Sequence, residues 1–166
     1  MARIGVISIS DGRDHVHARN ARFIRSKQDA LVRSLTSAGH EVVVGGDLVA
    51  TNRLASSVAR EVAAAGVDVT VFYYAVWSFP QFTMLAADAT RSPLILVART
   101  EPAEPGLVGM LAAGGAGRRA RPGRGRGRFA ARVDLRPLRR PADGHEHRGR
   151  QHRPVDAAVR GRRRGD

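Results

Sequence analysis

Asp11, Asp14, His15 and His17 crowd into a short polar stretch, and carboxylates with imidazoles are the donor types that hold divalent metals. Short polar turns often carry the same residue types without a metal, so no metal site is assigned to them. Gly114-Gly115-Ala116-Gly117 has the composition of a loop that cradles phosphate. It has no following lysine of the nucleotide-binding type and does not directly follow a strand-like run, so it is not read as a nucleotide site. His145, His147 and His152 would bind a metal only weakly. No acid, base and nucleophile converge in one place, so no catalytic residue is assigned.

The background of these groups is uneven. The chain has 166 residues, no cysteine and a formal charge of +13. Residues 1–117 carry 11 Lys and Arg against 10 Asp and Glu, whereas residues 118–166 carry 17 Arg against 5 acids. The second segment has no Lys, Ile, Met, Asn, Ser, Thr, Trp or Tyr, and 34 of its residues are Arg, Gly, Ala or Pro. Such a composition buries too little to offset the entropy of ordering the backbone. The expectation is a folded domain over 1–117 followed by a disordered basic tail over 118–166. No apolar run approaches the length of a membrane span, and the N-terminus turns polar too soon for a signal peptide. Without cysteine there is no disulfide scaffold. A cytoplasmic protein is expected, with no membrane partner.

The first segment alternates between strand and helix patterns. Arg3–Ile9 is a β-branched run that ends in the polar turn Ser10–Asp14. A helix is expected over about Asn20–Ala38, with Ile24, Leu31 and Leu35 on one face and Gly39 at its C-terminal cap. Glu41–Val44 reads as the next strand. Thr51 or Asn52 can cap a second helix bearing Leu54, Val58, Val62 and Ala65, closed by Gly66. A third strand is expected over Val67–Tyr73 and a third helix from Pro80, with Phe82, Leu85, Ala86 and Ala89 inward. Pro93–Ala98 is a fourth, almost wholly apolar strand, as in a sheet covered on both faces. Repeated βα units imply an α/β fold, a parallel doubly wound sheet of flavodoxin-like or Rossmann-like kind with about four strands. Its functional rim would comprise Ser10–Asp14, Gly45–Val49, Tyr74–Pro80 and Arg99–Pro105.

Rim and strand segments together carry a family resemblance. Ile4-Gly5-Val6-Ile7-Ser8-Ile9-Ser10-Asp11-Gly12-Arg13, Ala38-Gly39-His40-Glu41-Val42-Val43 and Phe72-Tyr73-Tyr74-Ala75-Val76-Trp77-Ser78-Phe79-Pro80 resemble the N-terminal domain of the L-fucose and L-arabinose isomerase group. The run from Pro105 to Gly115 fits as well, so the resemblance covers about residues 3–116. It implies an aldose–ketose isomerase that shuttles a proton at a metal-bound sugar. The metal, usually manganese, would be held by two carboxylates and a histidine of later domains, and none in this chain. It further implies that this domain lends an arginine and a tryptophan to a neighbouring subunit's site, here Arg13 and Trp77 as substrate-binding residues. A guanidinium can hold sugar hydroxyls in a fixed fork, and an indole packs on a sugar's C–H surface. The sugar would thus be a partner only in a full-length oligomer. Outside that role, Arg13 reads as a solvated turn residue and Trp77 as a packing anchor.

The basic tail reads as a frame slip near Gly115–Arg121. Arg, Gly, Ala and Pro have codons built from G and C alone. Permitted codons for Asp134 through Asp156, read one base later, yield T-F-G-L-F-G-G-R-P-M-G-M-N-T-A-V-A-N-T-D-Q-W-M. That text is similar to a continuation of the same family, with T-F-G-L-F as a strand. On this reading the chain is a truncated isomerase domain, inactive alone, with one sheet edge and part of a helix-packing face left open. The competing reading takes the tail at face value. Arg124, Arg126 and Arg128 alternate with glycines as in RNA-binding segments, and 17 arginines would bind polyanions non-specifically. Only Phe129 offers an aromatic face to a base.

Overall fold

The computed structural model describes residues 1–100, 104–119 and 129–131. All of them belong to Met1–Leu135, one of the two units into which the chain divides. The β-branched run Arg3–Ile9 forms β1, followed by α1 (Asp14–Ser37), β2 (Glu41–Val44), α2 (Asn52–Ala64), β3 (Val69–Tyr74), α3 (Pro80–Ala89) and β4 (Leu94–Ala98). Then come α4 (Gly106–Arg119) and a short β5 (Phe129–Ala131). Every strand pairing is parallel and the order is β2-β1-β3-β4-β5. The α/β, doubly wound architecture read from the sequence is the one observed.

Local signals account for the element ends. Thr51 caps α2, its hydroxyl accepting the Leu54 N–H at 3.2 Å. Pro80 occupies the first turn of α3, where its missing N–H costs nothing. Gly39 and Gly66 follow α1 and α2 with φ of 85° and 68°, the left-handed conformation that turns the chain back towards the sheet.

Alternation along the strands divides the core between the two sheet faces. Ile7, Ile9, Phe72, Tyr74, Leu94 and Leu96 pack with Val58 and Val62 of α2, Phe82 and Ala86 of α3, and Met110 of α4. On the other face, Ile4, Val6 and Val71 meet Leu31 and Leu35 of α1, while Tyr73 packs with Ile24. Among the described residues, α1 is the helix on the face opposite α2, α3 and α4, and there Ile95 and Val97 of β4 are half-buried.

Three features differ from the sequence reading. α1 starts at Asp14 rather than near Asn20, because its first turn carries no apolar period to announce it. Residues 106–119 form a helix although they are glycine-rich. A Cβ at Gly106 would collide with the Tyr74 carbonyl, so glycine is what lets α4 seat against the end of β3. Third, β5 pairs with β4 from Leu94–Phe129 to Leu96–Ala131, so that edge of β4, expected to be open, is covered over those residues. Apart from the end of α4 and β5, the expected tail of 118–166 lies outside the described residues. No helix among the described residues is long and apolar enough to cross a membrane.

Candidate functional site

In a parallel sheet the side connections of two neighbouring strands can leave towards opposite faces, which opens a crevice at their C-terminal ends. Here the crevice lies between β1 and β3. Their register runs to Ile9 against Tyr74, so the loops that begin at Ser10 and Ala75 leave side by side. The first leads to α1 on one face and the second to α3 on the other.

The β1 loop is built inward before it turns outward. Ser10 is fully buried, donates its N–H to the Val49 carbonyl at 2.8 Å, and its hydroxyl lies 2.9 Å from His17 Nδ1. Asp11 follows with only 2% of its surface exposed. Its Oδ1 accepts the backbone N–H of Arg13 at 2.9 Å and the Arg13 Nε–H at 3.0 Å, while Oδ2 accepts Nη2–H at 2.7 Å. The bonded guanidinium holds the Asp11 carboxyl below the usual carboxylate range, against the opposing effect of burial. Asp11 in turn raises the pKa of Arg13. Gly12 packs on aromatic rings, and a Cβ there would stand 2.6 Å from Phe82 Cζ and 3.1 Å from Phe79.

The β3 loop and the first turn of α3 supply those rings. Trp77 meets Phe79 edge-on with centroids 4.6 Å apart, and Phe79 meets Phe82 at 6.0 Å in the same manner. Tyr74, buried below them, pairs its hydroxyl with that of Thr83 at 2.6 Å. Burial pushes the Tyr74 phenol well above its ordinary pKa, an effect that the Thr83 contact partly offsets. Across the crevice the Arg13 guanidinium lies over the Trp77 ring, 5.6 Å from its centroid, within cation–π range.

The structure thus brings Arg13 and Trp77 together. It separates the polar cluster differently from the sequence reading, since Asp14, His15 and His17 stand on the first turns of α1 and not in the loop. Among the described residues, no three His, Cys, Asp or Glu side chains are grouped to hold a metal ion. Gly114 and Gly115 lie within α4, and His145, His147 and His152 lie outside the described residues. Two cavities, of about 430 and about 250 Å³, flank Arg91 away from this rim, the larger between α2 and α3. Asp11 is the residue that sequence reasoning missed as a partner of Arg13. The Asp-x-Arg spacing was visible, but it does not say where either side chain points.

The strand order is that of a flavodoxin-like α/β domain, with an arginine and an aromatic ladder at its switch point. The family whose model matches, over residues 1–121, is L-fucose isomerase, first N-terminal domain, and the chain belongs to that family. No curated protein and no solved structure matches the chain significantly.

Proposed function

We propose that this chain is part of an aldose–ketose isomerase and presents Arg13 and Trp77 to a sugar held in a neighbouring subunit's site. The observation that carries the reading is the cation–π pair itself. Nη1 of Arg13 makes no hydrogen bond among the described residues, and Trp77 is only partly buried. The pair therefore offers N–H donors beside a partly exposed indole, the combination that suits hydroxyls next to a C–H surface.

The described residues do not fit a manganese site, so no step of the reaction is assigned to them. In this proposal the metal, the acid and the base come from later domains, and the chain alone does not isomerise. A cytoplasmic setting belongs to the same proposal and rests on the family reading alone. The test is an assay of the purified chain with manganese and L-fucose or L-arabinose. No turnover is expected; turnover overturns the claim that this domain only presents the sugar. The two side chains themselves are tested by titrating either sugar against Trp77 emission, Trp77 being the single tryptophan. Two isolated contacts give a Kd weaker than about 1 mM. A Trp77 signal that no sugar moves, up to solubility, counts against the contact.

The charge of 118–166 favours a second activity, non-specific polyanion binding that falls steeply with salt. We read that charge as the by-product of a frame slip near Gly115–Arg121. Resequencing the codons for residues 110–130 decides it: one extra or missing base supports the slip, and an intact frame makes the basic segment genuine.

A further inference from the structure

We infer that Asp11 is a positioning residue for the sugar contact: it fixes the Arg13 guanidinium over Trp77 and selects which of its N–H groups face a ligand. The inference rests on the proposed role of Arg13 and Trp77 and adds a third residue to it.

Arg13 is a long side chain with more than half of its surface exposed, so by itself it would sample many rotamers. Asp11 cannot move with it, because it is buried and belongs to the loop that Ser10 ties to Val49. The carboxylate takes Nε–H and one Nη2–H, the two adjacent donors on one edge of the guanidinium plane. The Nη1 group and the second Nη2 hydrogen are left on the remaining edges, with the guanidinium carbon 5.6 Å from the Trp77 ring centroid. The ion pair also balances the arginine's charge locally. The locus therefore suits neutral hydroxyl groups and not a phosphate, for which an unpaired arginine would be the better partner.

A purely structural role for Asp11 is distinguishable. Its Oδ1 accepts the Arg13 backbone N–H and forms a local turn, and an asparagine could do this equally well. The Oδ2 bond to Nη2 is different, because Asn would place an NH₂ donor against another donor. Asp11→Asn thus keeps the turn and cuts the fork.

The experiment uses the full chain and the emission of its single tryptophan. Arg13→Met, Asp11→Asn and the double variant are compared with the parent, with far-UV circular dichroism as the check on folding. Removing the guanidinium in Arg13→Met is expected to shift Trp77 emission. Asp11→Asn is expected to shift it in the same direction, and the double variant to match Arg13→Met, because Asp11 acts through Arg13. Parent-like emission in Asp11→Asn, or additive shifts in the double variant, overturns the inference. Should Asp11→Asn fail to fold, the unmutated chain still decides. The Arg13 Nε–H resonance, identified by its loss in Arg13→Met, is expected to exchange more slowly with water than those of other exposed arginines. Equal exchange overturns the inference. Titration with L-fucose or L-arabinose is read separately. A parent unaffected by sugar removes the proposed sugar contact, whereas the emission and exchange data judge the Asp11–Arg13 coupling alone.

Discussion

The Arg13 guanidinium lies over the Trp77 indole, 5.6 Å from its centroid, although the two residues leave the sheet from different strands, one bound for each face. Each is held by a neighbour in its own loop. Asp11 aims the cation and Phe79 supports the ring, so the contact depends on residues from two βα units. Replacement of Phe79 by leucine removes the edge-on partner of Trp77 and the ring against Gly12. We expect a loss of about 0.5–1.5 kcal/mol beyond the area change. A red shift of Trp77 emission should accompany it, read by thermal unfolding and fluorescence together.

The seating of α4 predicts opposite effects for two glycines of one helix. At Gly106 any side chain meets the Tyr74 carbonyl, so Gly106→Ala should destabilise by about 1–3 kcal/mol. A Cβ at Gly115 meets nothing, so Gly115→Ala should stabilise by about 0.5–1 kcal/mol through helix propensity. Urea unfolding of both variants checks the contrast, and equal signs would contradict the packing described.

Tyr74 supplies an alkaline limit. Its phenol is neutral and raised in the native chain, while in the unfolded chain it ionises near the ordinary value of about 10. Above that pH the unfolded state holds fewer protons than the native one, so stability falls as pH rises. Tyr74→Phe removes that share of the fall and also the bond to Thr83, which should cost about 1–2 kcal/mol at neutral pH. The expected pattern is a lower Tm for the variant at about pH 8 and a smaller drop between about pH 8 and about pH 11.

Asp11 sets a corresponding acid limit. Its native pKa is lowered, chiefly by the side-chain bond from Arg13, with smaller help from the charge of His15. The stabilisation is therefore present above the ordinary carboxylate value of about 4 and is lost as pH falls below it through the lower native value. Asp11→Asn should be less stable than the parent at neutral pH and show a flatter acid limb in unfolding experiments.

Much of the fold was legible because its signals are local. Alternating β-branched runs, the Thr51 cap, Pro80 and the glycines after α1 and α2 act within a few residues, and each stands where it was expected. α1 began earlier than its apolar period because Asp14-His15-Val16-His17 has no repeat to read. α4 was hidden because Gly106 answers to the distant Tyr74 carbonyl and Gly109 to the Ser78 backbone, and not to helix propensity. The site divided in the same way. The family's motifs, read along the chain, singled out Arg13 and Trp77, whereas their contact and the part played by Asp11 came only with the folded sheet. Strand register and the opposite departures of the two loops set the Arg13–Trp77 distance, and both follow from pairing between segments far apart in the chain, where residue type and spacing carry no record of direction.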